Sequence, residues 1–141
     1  FKIDMIDRSK SKKLEARIKF INAVHPYQVL EVCKLADVGI APIQNLCKSY
    51  YLSLPNKIFE YIHAELPVLV SDFPEMKRII DNYSVGEVFN VDEPSSIIGV
   101  INNYFDNPDN IIKYKQNCLK ASKVLNWDNE KKQLFNLYNQ L

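Results

Sequence analysis

From Ala36 to Asp72 an apolar run, a proline-led amphipathic segment and a second apolar run follow one another. That succession restricts the fold more than any other stretch of the chain. Ala36-Asp37-Val38-Gly39-Ile40-Ala41-Pro42-Ile43 and Leu66-Pro67-Val68-Leu69-Val70-Ser71-Asp72 flank Ser53-Leu54-Pro55-Asn56-Lys57-Ile58-Phe59-Glu60-Tyr61-Ile62. Runs so continuously apolar suit strands covered on both faces. Pro55 suits the first turn of a helix, where its missing N–H is not needed. Ile58, Phe59 and Ile62 then share one face at three- and four-residue spacings, which predicts burial. Asn56, Glu60 and His63 fall roughly opposite, flanked by Lys57, Tyr61 and Ala64. Strand, helix and strand in this order predict an α/β fold with a parallel sheet. Ligand sites in such sheets form beyond the carboxyl ends of the strands, often against a helix N-terminus. The first-turn amides and Lys57 would attract a phosphate there, and Glu60, one turn further in, would accept hydrogen bonds from sugar or ribose hydroxyls. A solvated helix face with ordinary polar residues is the competing reading.

The rest of the chain extends the alternation. Strands are expected over Phe1 to Ile6, Ile18 to Ile21, Asp37 to Ile43, Val68 to Val70 and Val85 to Phe89. Arg8 to Arg17 is a basic, solvated short helix or loop, with a phosphate or membrane-surface patch as the alternative. Pro26 opens a helix through Leu35 that turns Val29, Leu30, Cys33 and Leu35 or Ala36 inward. Gln44 to Leu52 is a loop. The Pro55 helix ends near Ala64, and Asp72 and Glu75 stand at capping-box spacing before another helix. After Pro94 the pattern is helical. Ile97, Ile98, Ile101, Tyr104 and Phe105 share a face, Pro108 begins a helix to about Leu125, and Trp127 to Leu141 forms a third. In that last helix Leu134, Phe135, Tyr138 and Leu141 lie on one side, with Trp127 as a core anchor.

The chain has 141 residues, 47% of them hydrophobic, which is enough for one domain with a core. A net charge of +1 argues against broad nucleic-acid binding. With only three glycines the chain has little material for a glycine-rich phosphate loop. Cys33, Cys47 and Cys118 are widely spaced and form no CxxC pair, so no metal is expected. Their odd number predicts reduced thiols in a cytoplasmic protein. Cys33 reads as core and Cys47 as a loop thiol with no base beside it. The opening at Phe1, without an initiator Met, predicts a piece of something longer.

Ala36 to Pro42, Ser53 to Tyr61 and Pro67 to Asp72 with Pro74-Glu75, and more loosely Val85 to Val88 and Trp127-Asp128, resemble the GT-B glycosyltransferases. The likeness is to the C-terminal, donor-binding domain of the large retaining family that uses nucleotide sugars. It implies a single Rossmann-like domain over 1–141, an open parallel sheet with flanking helices, truncated on its N-terminal side and ending in helices. It implies transfer of a sugar from a nucleotide-diphosphate sugar to an acceptor hydroxyl in polysaccharide or glycoconjugate synthesis, without cofactor or metal. The acceptor, a sugar or lipid-linked glycan, would be held by a missing N-terminal domain, so the fragment alone would be inactive.

By the same resemblance Glu60 binds ribose hydroxyls, Pro55, Asn56 and Lys57 lie near the diphosphate, and Val24-His25-Pro26-Tyr27 faces the nucleobase. Ser53 belongs to the same string. The family often carries an acid before the one matched by Glu60, and Leu52 stands in that region instead, which leaves the donor sugar open. Among the other candidates, Tyr51, with Tyr50, would wall the sugar pocket or simply pack the loop. Glu75 would reach the donor or cap its helix, and His25 would contact a base or serve as a turn residue. His63 reads as structural. Other readings of the chain are a nucleotide-sugar epimerase of the same fold and a non-catalytic α/β binding module. The expected location is cytoplasmic, with peripheral association at the inner face of a membrane as a variant.

Overall fold

The computed structural model describes residues 2–140. Three strands, β1 (Gly39–Ala41), β2 (Val68–Ser71) and β3 (Gly86–Phe89), form a parallel sheet in the order β1-β2-β3. Gly39, Ile40 and Ala41 pair with Val68, Leu69 and Val70, and Val68 to Ser71 pair with Gly86 to Phe89. The sheet is threaded by helices α1 (Lys2–Ser11), α2 (Val29–Cys33, preceded by a 3-10 turn over Pro26–Gln28), α3 (Lys48–Tyr51) and α4 (Asn56–His63). They continue with α5 (Pro74–Tyr83), α6 (Pro94–Asp106), α7 (Pro108–Ser122) and α8 (Trp127–Tyr138).

The alternation of side chains along β2 divides the core. Val68 and Val70 point to one face, where Ile58 and Ile62 of α4, Met76 and Ile79 of α5 and Cys118 of α7 are buried. Leu69 points to the other, against Phe89, Tyr104 and the partly buried Val38, Ile101 and Tyr114. Covering on both faces leaves every residue of β2 buried, as the apolar run over this segment predicts. Gly86 is required by the pairing: a Cβ there would meet the backbone C and N of Val68 at 2.7 Å, with the carbonyl oxygen nearer still.

The structure departs from the sequence expectations in several places. Lys2–Ser11 is a helix where a strand was expected over Phe1 to Ile6; Phe1 lies outside the described residues. Asp4 in its first turn and Arg8 and Lys10 in its last complement the helix dipole, and Ser9 folds back to donate to the Ile6 carbonyl (2.7 Å). Ile18 to Ile21 is irregular rather than a strand, because among the described residues no neighbour pairs with it; Ile21 is 68% exposed. The Pro26 helix ends at Cys33, and Leu35 and Ala36 face solvent. The strand expected over Asp37 to Ile43 pairs only over Gly39–Ala41, and the expected loop after it contains α3. Asp72 and Glu75 form no capping box. Phe73 is the N-cap residue of α5, and Glu75 is held by Arg78. Ile98 and Phe105 of α6, and Leu134, Phe135 and Tyr138 of α8, are exposed, and Leu141 lies outside the described residues. Trp127 is no core anchor: it is 69% exposed.

Candidate functional site

The carboxyl ends of β1 and β2 are tied together by a buried hydroxyl. Ser71 Oγ, fully buried, donates to the Ile43 carbonyl at 2.7 Å. Sequence reasoning passed over Ser71, although a small polar residue closing an otherwise apolar run was its signal. Just beyond, the Tyr51 ring on α3 packs on Phe73, the N-cap of α5, with centroids 5.2 Å apart. Ser53 donates to the Tyr50 carbonyl (2.8 Å) and closes α3. These contacts place the α3–α4 connection over the strand ends, where α4 begins.

Pro55 is the N-cap of α4, extended at φ −72° and ψ 142°, and among the described residues no side chain caps the helix there. A prolyl N-cap contributes no side-chain acceptor, so the first-turn amides of Asn56 and Lys57 are left for an outside acceptor. Asn56 and Lys57 are exposed and Glu60 is half-buried. Ile58 and Ile62 are fully buried and Phe59 partly so, as the spacing predicts. The other flank of α4 is anchored to β1: the Tyr61 ring lies on Gly39, and its hydroxyl donates to the Ile40 carbonyl (3.3 Å). A Cβ on Gly39 would overlap that ring, so the glycine is what lets α4 approach the strand.

Glu60 lies against α2. Burial, and then the Glu60 carboxylate, raise the Cys33 thiol above its ordinary range, and Tyr61 is raised by burial and by Cys33 and Glu60. His25 and Pro26 stand at the opposite end of the same helical segment. The His25 ring packs on Tyr27 (3.9 Å between centroids), and its backbone N–H donates to Gln28 Oε1 (3.2 Å). Among the described residues no hydrogen bond or ring contact joins His25 or Pro26 to α4. Glu75 Oε2 accepts two bonds from Arg78, at 2.6 and 3.0 Å. His63 is structural: its Nε2 meets the Leu125 carbonyl at 2.8 Å and pins α4 to the segment before α8. The structure therefore groups Pro55, Asn56, Lys57 and Glu60 on α4 and brings Ser53 and Tyr51 to its entrance. It sets His25 and Pro26 apart, at the start of the 3-10 turn that precedes α2.

Two cavities flank this region. A groove of about 750 Å³ runs between α4, α5 and α8, with Asn56 on its wall but neither Lys57 nor Glu60. An apolar pocket of about 320 Å³ lies beside the free edge of β1, over Ile40 and Tyr104. Among the described residues no group of three His, Cys, Asp or Glu side chains is placed to hold a metal ion. Among them, too, no helix is long and apolar enough to cross a membrane. A family model described as "Glycosyl transferases group 1" matches residues 4–124. No curated protein and no solved structure matches the chain.

Proposed function

The chain belongs to the group 1 glycosyl transferases, and from that premise we propose that it forms the donor half of the enzyme, binding a nucleotide-diphosphate sugar at the start of α4. The observation that carries the reading is the uncapped N-terminus of α4 over the ends of β1 and β2, with Lys57 in its first turn and Glu60 one turn in. The diphosphate accepts from the amides of Asn56 and Lys57, and the Lys57 ammonium offsets its charge. Glu60 accepts from the ribose hydroxyls. Tyr51 and Ser53 border the donor sugar, and the His25-Pro26 turn faces the base.

As the bond from the anomeric carbon to the diphosphate breaks, negative charge grows on the leaving oxygen. Fixed amide dipoles and a lysine stabilise that charge without reorganising, so they act more strongly on the transition state than on the bound donor. The acceptor hydroxyl comes from a separate domain, and the product is a polysaccharide or glycoconjugate. Glu75, paired with Arg78 in the first turn of α5, is the remaining candidate contact to the donor.

Isothermal titration with UDP and GDP tests the reading. Lys57→Ala weakens the preferred nucleotide roughly tenfold, the scale of a lost charge-assisted hydrogen bond. Unchanged affinity in Lys57→Ala overturns the assignment of the diphosphate.

A further inference from the structure

We propose that the groove between α4, α5 and α8 holds a neutral glycan chain. Its volume of about 750 Å³ falls within the roughly 300–1,000 Å³ of small-molecule sites. One wall is the indole of Trp127, the chain's sole tryptophan, 69% exposed at the first turn of α8. A large aromatic face left in water at the rim of a groove is a platform for the C–H face of a sugar ring.

The polar lining fits the rest of a sugar. Asn56, Asn82, Glu130 and Gln133 line the groove, and among the described residues none of their side chains hydrogen-bonds within the protein. Asn126 on the same wall spends its amide on the Ser122 and Lys123 carbonyls, as Asn90, Asn103 and Asn117 elsewhere spend theirs inside the chain. Planar amides and a carboxylate offer the paired donors and acceptors that neighbouring sugar hydroxyls require.

Charge selects the class of occupant. The lining holds one guanidinium, Arg78, which is already bonded to Glu75, and one carboxylate, Glu130. The walls carry no net charge to draw a nucleotide or a phosphate, so an uncharged saccharide fits where a polyanion does not. Asn56 belongs both to the groove and to the first turn of α4. A glycan lying along the eight residues of α4, about 12 Å of helix, is distinct from the acceptor, which the separate domain presents. The choice of a sugar ligand rests on the proposed transfer function, but the groove is separate from Lys57 and Glu60.

The position of Trp127 makes its fluorescence the test. The full chain is titrated with uncharged tetra- to hexasaccharides of the malto, cello, chito, manno and xylo series. At least one series shifts the emission saturably to the blue, and Asn82→Ala or Gln133→Ala raises the dissociation constant roughly three- to tenfold, the cost of one hydrogen bond. The same variants leave UDP and GDP affinity unchanged, whereas Lys57→Ala does the reverse, so the groove and the donor site fail or stand separately. No saturable shift with any series overturns the inference, as does a shift that Asn82→Ala and Gln133→Ala leave intact. An emission that changes with protein concentration alone also overturns it, by identifying the groove as a contact between copies.

Discussion

Replacing Gly39 by alanine drives a methyl group into the ring of Tyr61. The ring carbon Cδ1 would lie 2.8 Å from the new Cβ, with Cγ and Cδ2 nearer still. Carbon atoms rest at about 3.5 Å or more, so the ring must retreat by roughly 0.7 Å or further. Its Cγ lies on the χ2 axis, so turning the ring in place does not clear the clash, and either the ring leaves through a χ1 change, giving up its place on β1, or α4 itself moves. Overpacking of this kind costs about 1–3 kcal/mol. The bond from the Tyr61 hydroxyl to the Ile40 carbonyl, worth about 1 kcal/mol, goes with it. The total, about 2–4 kcal/mol, lowers Tm by roughly 6–16 °C for a domain of this size. Urea unfolding of Gly39→Ala, Tyr61→Ala and the double variant checks the cause. With the ring gone, Gly39→Ala costs less than about 0.5 kcal/mol, a strong coupling between the two sites. Equal costs in the two backgrounds, or a loss below about 0.5 kcal/mol in the wild-type background, would refute the close approach of α4 to β1.

Other consequences follow from buried groups. Ser71→Ala leaves the Ile43 carbonyl without its donor and costs about 1–3 kcal/mol in denaturant titration. Ile62→Ala removes a fully buried side chain from the α4 face and costs about 2–5 kcal/mol. Burial pushes the Cys118 thiol up to about 12 from 9.0, so the folded chain holds this proton while the unfolded chain releases it. The contribution is intact below pH 9 and is lost as pH rises toward 12. Stability measured in urea falls across that window, less steeply in Cys118→Ala. Under native conditions at pH 8 iodoacetamide labels the exposed Cys47 and spares Cys118, as read by mass spectrometry.

The parts of the fold that read clearly from sequence are those whose local pattern agrees with their tertiary burial. β2 and α4 announce themselves because the residues that cover them, from Met76 and Ile79 to Cys118, lie downstream and make local pattern and tertiary burial agree. Ile18 to Ile21 has the same apolar, β-branched signature, yet among the described residues no strand pairs with it, and propensity without a partner forms no sheet. Over Lys2–Ser11 the apolar residues alternate for so short a stretch that they fit a helix as well as a strand, and the helix forms. Trp127 reads as a core anchor only because aromatics at helix starts commonly bury area, and periodicity finds the α8 stripe of Leu134, Phe135 and Tyr138 without revealing what it faces; all four are exposed. At the site, the Pro55 start and the Glu60 position were legible from spacing. The commitment of Glu75 to Arg78, and the closeness of Gly39 to Tyr61, depend on rotamers and long-range packing that no pattern encodes.

The central claim is that α4 presents a donor site with Glu60 on the ribose. Calorimetric titration of UDP and GDP into the chain and into Glu60→Ala, each checked for unchanged folding by circular dichroism, tests it most directly. One nucleotide binds the wild-type chain, and Glu60→Ala weakens it by more than about tenfold, the loss of two hydrogen bonds to a carboxylate. Equal affinity in the two proteins would contradict the account.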